Sequence, residues 1–151
     1  MISKHVSERE AWGSPTATRM GIDNAPTPEH LANIKLLLEN VFEPLREWAG
    51  HPIKINSLYR SAALNTAVGG ASKSDHMDGC AIDIDDDFGG ATNAEMFNWI
   101  LENLEFDKLI WEFGDFVNPD WVHISYRHSN NRKQVMRASK NGGRTVYTTM
   151  K

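Results

Sequence analysis

Ser74-Asp75-His76-Met77-Asp78-Gly79-Cys80-Ala81-Ile82-Asp83 places a histidine and an aspartate seven positions apart with a glycine between them. Gly79 tolerates the left-handed backbone of a sharp turn, so an extended run after it brings Asp83 back toward His76. Residues 80–85 read as that run, a buried strand. Further on, Asp120-Trp121-Val122-His123 is a second strand-like segment, and alternation points Trp121 and His123 to one side. Two histidines and one aspartate make three metal ligands, and zinc held by three protein groups keeps its fourth position for water, the catalytic rather than the structural arrangement. On spacing alone a blander reading stays open, with His76 a surface loop residue and Asp83 a hydrogen-bonded strand end.

The surrounding chain supplies the scaffold. Ser7-Glu8-Arg9-Glu10 has capping-box spacing and predicts a short helix that Gly13 and Pro15 end, with loop onward to Pro26. Thr27-Pro28 then opens the main core helix, in which Leu31, Ile34, Leu37, Leu38, Val41, Phe42, Leu45 and Trp48 recur at helical spacing up to Gly50. Pro44 lies inside it and is expected to kink or divide it. Residues 53–58 alternate as a strand, 61–68 form a short helix, and Thr92 to Glu95 is a second capping box opening a helix with Met96, Phe97, Ile100, Leu101 and Leu104 on its core face. Residues 108–113 and 121–126 read as two more strands. The expected class is α+β, helices packed on a small, mainly antiparallel sheet.

With 151 residues, 40% of them hydrophobic, the chain fits one domain, its core about residues 7–126. Residues 127–151 carry seven Lys/Arg and no acid, a pattern read as a solvated face or flexible end. A net charge of -4 gives no general attraction to phosphate backbones, so no nucleic-acid partner is expected. The single cysteine, Cys80, excludes an internal disulfide; three residues from Asp83 in a strand, it is expected on the opposite face as a small buried hydrophobe. The polar N-terminus has no signal-peptide-like stretch and no segment approaches the length of a membrane span, so the product is expected to accumulate in the cytoplasm. Residues 83–87 superficially resemble a calcium loop, but Phe88 stands where the turn needs glycine and Ala94 at the twelfth position, so calcium is rejected.

Ser74-x-His76-x-x-Gly79-x-Ala81-x-Asp83 followed by Trp121-x-His123 resembles the signature of the zinc D-Ala-D-Ala carboxypeptidase and L-alanyl-D-glutamate endopeptidase family, whose fold is shared with the hedgehog signalling domain. Ile55-Asn56-Ser57-Leu58-Tyr59-Arg60-Ser61, Leu64-Asn65 and Val68-Gly69-Gly70-Ala71 are similar to the stretch before the first histidine in the phage-type branch, and the likeness spans about residues 7–125. The resemblance implies a hedgehog/DD-peptidase-like fold, one Zn²⁺ per chain on His76, Asp83 and His123, a catalytic carboxylate at Asp120, and Arg60 on the substrate carbonyl. Leu58 departs from the family, which often has glycine before the Tyr-Arg pair.

The implied activity is cleavage of the stem peptide of bacterial peptidoglycan, as a phage or prophage L-alanyl-D-glutamate endopeptidase of the endolysin type that a pore or a phage particle delivers to the wall. Two alternatives are a D-alanyl-D-alanine carboxypeptidase and a non-catalytic zinc module recognising wall peptide or a protein partner. Glu112 is the rival to Asp120, because it ends an apolar strand beside Trp111 and is an unusual charge to bury; it is placed in a supporting or substrate-binding role. Ser74 is expected to orient a ligand or turn the chain, and Trp121 to form core or pocket wall.

Overall fold

Five of the six α-helices start where a hydroxyl side chain accepts from a backbone N–H of the first turn, satisfying a donor the helix leaves free. In a computed structural model describing residues 1–150, these are α1 (Glu8–Trp12, capped by Ser7), α2 (Pro15–Met20, Ser14), α3 (Pro28–Leu37, Thr27), α5 (Ala62–Ala67, Ser61) and α6 (Asn93–Asn103, Thr92). Helix α2 occupies a segment expected to be loop; Ser14, Pro15 at its first position and left-handed Gly21 at its end delimit six residues. The expected division at Pro44 takes a specific form. Between α3 and α4 (Glu43–Ala49) the chain runs as a π-helix, Leu38–Phe42, and Glu43 N–H donates to Leu38 O rather than one residue nearer. Pro44 has no N–H to give, and widening the preceding turn relieves its ring.

The strands are β1 (Lys54–Ser57), β2 (Ala81–Asp85), β3 (Lys108–Glu112), β4 (Trp121–Ser125), β5 (Gln134–Asn141) and β6 (Arg144–Thr149). They form one sheet in the order β1-β2-β4-β3-β5-β6, antiparallel except for the parallel pair β3 and β5. Alternation sorts its two faces. Ile82, Ile84, Leu109, Trp111, Val122 and Ile124 join the core with Ile34, Leu37, Leu38 and Leu45 of the long helical run and Met96, Phe97 and Ile100 of α6. Each such fully buried aliphatic side chain contributes about 1.5–3 kcal/mol. The core also reaches upstream of residue 7, since Val6 is fully buried. Asp83, His123 and Glu112 stand on the other face.

Gln134–Asn141 and Arg144–Thr149 form a hairpin extending the sheet, where the sequence reading left a solvated or flexible end; its last residue, Lys151, lies outside the described residues. Gly142 and Gly143 both have positive φ, as a two-residue hairpin turn requires. The excess of cations has partners. Arg127 and Arg132 converge on the fully buried Asp107, Arg137 lies 4.0 Å over the Phe116 ring and Lys140 5.4 Å over Phe113.

Asp107 fastens this hairpin to the sheet, accepting from Arg132 Nε at 2.9 Å, Nη2 at 2.8 Å and backbone N at 3.1 Å. The Arg132 hydrogen bonds hold its carboxyl below the usual aspartate value of 3.8 against the opposing effect of burial. A depressed folded pKa gives stability that is present above 3.8 and lost as pH falls through the lower folded value. Asp107→Asn is therefore expected to cost about 2–4 kcal/mol at pH 7, with the gap to the parent closing in acid, read from urea unfolding at both pH values.

Candidate metal centre

Asp83 and His123 are direct cross-strand partners on β2 and β4, so the register alone sets two candidate ligands side by side on the open face. His76 comes from a 3₁₀ turn, Asp75–Asp78, that leads into β2. Its sharp exit needs Gly79, whose φ is +75°; a Cβ there would lie 2.6 Å from His30 O. Ser74 caps the turn, its Oγ accepting from His76 N–H and, at 3.3 Å, from Arg60 Nη2. Arg60 N–H in turn donates to His76 O. Ser74 thus ties Arg60 and His76 together.

The donor set has the chemistry a metal needs. His76, only 2% exposed, has Nδ1 2.7 Å from Leu58 O, a bond that places the ring proton on Nδ1 and leaves Nε2 free, 3.2 Å from Asp83 Oδ2. His123 Nδ1 lies 2.9 Å from Asp83 Oδ1. The three donor atoms fall within 4.8 Å of one another, and the imidazoles meet edge to face, centroids 5.3 Å apart. Burial works to raise the Asp83 carboxyl, but electrostatic attraction to His76 and the His123 hydrogen bond override it and hold it far below the ordinary range. Against its own burial, His123 is raised by Asp83.

These groups open onto a cleft of about 700 Å³ whose lining includes Arg60, Ser74, Glu112 and Trp121. Asp120 is not in that lining. It is exposed, its backbone N–H donates to Glu112 O at 2.8 Å, and its carbonyl accepts from Asn93. It lies one residue before β4 begins, so alternation along the strand assigns its side chain to neither face. Glu112, within β3, stands on the ligand face. It pairs with Trp121 in the row beside His123, is 6% exposed, and its carboxyl is pushed up to about 7, chiefly by burial, with Asp83 adding to the rise and His123 opposing it. Arg60 Nε is buried with no hydrogen-bond partner among the described residues, and burial lowers the guanidinium pKa against the pull of Asp83.

Lys73, Lys108 and Arg132 also line the cleft, as do Gln134, Met136, Thr145 and Tyr147 of the hairpin, none of which the motifs pointed to. The hairpin residues carried a readable signal in the alternation either side of Asn141-Gly142-Gly143-Arg144. Cys80 is half-buried rather than buried, desolvation raises its thiol to about 11, and it is not among the clustered donors.

Two imidazoles and a carboxylate converge beneath an open cleft, with a buried second carboxylate and an arginine in its lining, a cluster compatible with a metal site. The family model described as Peptidase M15 matches residues 4–125, and the chain belongs to that family. M15 peptidases are zinc-dependent, so this is a zinc metallopeptidase domain, and peptidoglycan is the substrate class the family implies. No curated protein matches the chain. No helix is long and apolar enough to cross a membrane among the described residues.

Proposed function

We propose that the protein is an L-alanyl-D-glutamate endopeptidase of the peptidoglycan stem peptide, serving a phage or prophage as a lysis enzyme. One observation carries the bond specificity. The His123 row crosses β3 at Ile110, midway between Lys108 and Glu112, and both of these line the cleft. The ligands therefore sit mid-groove, which suits a substrate chain running past on both sides. Under this reading the enzyme is made in the cytoplasm and reaches the wall through a pore or as part of a phage particle.

His76 Nε2, Asp83 and His123 would hold one zinc ion per chain, which supplies Lewis acidity that polarises the scissile carbonyl and acidifies water. Glu112 accepts the proton of the attacking water and passes it to the leaving amine. Burial raises its proton affinity, the direction needed by a group that must keep a proton until the amine departs. Arg60, which lines the cleft, turns its guanidinium to the oxygen on which charge develops, and a donor of this kind is worth about 3 kcal/mol in the transition state. Ser74 positions both Arg60 and His76.

A second reading, D-alanyl-D-alanine carboxypeptidase, is favoured by the cations Lys73, Lys108 and Arg132, which suit a terminal carboxylate. Digestion of purified peptidoglycan with mass spectrometry of the new ends separates the two. New L-Ala carboxyl and D-Glu amino ends are expected, abolished by a chelator and restored by zinc; release of free D-Ala would replace the endopeptidase reading with the carboxypeptidase one.

A further inference from the structure

The family match ends at residue 125, but the cleft does not. Its far wall is the C-terminal hairpin, at the opposite edge of the sheet from β1, the strand that leads into Arg60. Register shows how the hairpin reaches the site. Trp121, Glu112, Ala138 and Tyr147 are successive partners across β4, β3, β5 and β6, so their side chains share one face and one row. Ala138, between Glu112 and Tyr147, is small and fully buried, while both of its neighbours in the row line the cleft. Two strand spacings separate Glu112 from Tyr147, roughly 10 Å at the backbone.

Tyr147 is 56% exposed and lines the cleft. Tyr59 differs, for its hydroxyl is paired with His30 Nδ1 at 3.0 Å. Burial of the Tyr147 ring, then Glu112 and Asp83, raise its pKa above the ordinary phenol value, so the group is a hydrogen-bond donor at neutral pH. A strand exposed along its whole length has no packing need for a tyrosine at this one position of the row.

We infer that Tyr147 is a substrate-binding residue, its hydroxyl donating a hydrogen bond to a backbone oxygen of the stem peptide where that peptide passes along the cleft between Glu112 and the hairpin, so that the hairpin fixes the substrate from the side opposite Arg60. The inference rests on the peptidoglycan reading above. It gives the segment beyond the family match a part in recognition and leaves bond-breaking to the groups around His76, Asp83 and His123.

Tyr147→Phe removes one oxygen and keeps the ring. KM for wall peptide is expected to rise about three- to tenfold with kcat within about twofold, because the lost bond forms in ground and transition states alike. Zinc content and melting temperature should match the parent. A second readout needs no turnover: a synthetic L-Ala-γ-D-Glu-L-Lys-D-Ala-D-Ala peptide, titrated into metal-free protein by calorimetry, should bind the variant more weakly by the same factor. Unchanged KM and unchanged peptide affinity overturn the inference, as does a fall in kcat with KM unaltered. If the parent neither cuts wall nor binds the peptide, the peptidoglycan reading falls and takes this one with it. If the parent does both and Tyr147→Phe equals it, only the role of the hairpin is refuted.

Discussion

Glu112→Gln is expected to lower kcat on peptidoglycan by about 10²–10⁴-fold while the variant still takes up zinc. Asp120→Asn should leave kcat near the parental value. The contrast follows from placement, since Glu112 lines the cleft in the row next to His123 and Asp120 is exposed outside that lining. Steady-state kinetics with metal analysis on both variants checks it, and an inactive Asp120→Asn beside an active Glu112→Gln would return the role to the residue the motif indicates. Stability gives a second signature. The Glu112 carboxyl lies at about 7 in the fold against an ordinary 4.5, so between those values the folded state holds a proton that the unfolded state has released. Metal-free parent should therefore lose stability as pH rises through this window, and Glu112→Gln should lack that part of the slope in urea titrations with chelator present.

His76→Ala is expected to abolish zinc uptake and lower kcat/KM by about 10³-fold or more, some 4 kcal/mol of transition-state stabilisation. The side chain does two things at once: Nε2 faces Asp83, and Nδ1–H satisfies Leu58 O. Its removal leaves that carbonyl unpaired, at a cost of about 1–3 kcal/mol to the metal-free fold. Asp83→Asn, which keeps shape and volume, separates ligand loss from fold damage. In the parent, zinc at 100 times its dissociation constant should add about 2.7 kcal/mol of apparent stability, and neither variant should show that gain in thermal melts with and without zinc. A His76→Ala protein that kept zinc and parental activity would remove the metal centre from the account.

Local signals made most of the scaffold legible. The two capping boxes, the Thr27-Pro28 start and the position of Pro44 are short-range chemistry, and the chain obeys them. The α+β class followed from hydrophobic period, and the Asp83–His123 pairing agrees with alternation in both strands. What escaped was decided at longer range. Asp120 and Glu112 lie eight residues apart in sequence, and only the Glu112–Trp121 register brings Glu112 into the row beside His123. The basic run after Tyr126 read as solvated because its partners, Asp107, Phe113 and Phe116, are far away in sequence. Helix α2 was hidden by its brevity, although Ser14-Pro15 carried the start signal.

The parallel seating of β5 beside β3 also has a temporal side. The candidate ligands lie on a turn and two strands that precede the hairpin bearing Tyr147 in the chain, and that hairpin can dock only once β3 is in place. A change confined to the hairpin would therefore disturb the far wall of the cleft while leaving Asp83 and His123 in register on β2 and β4.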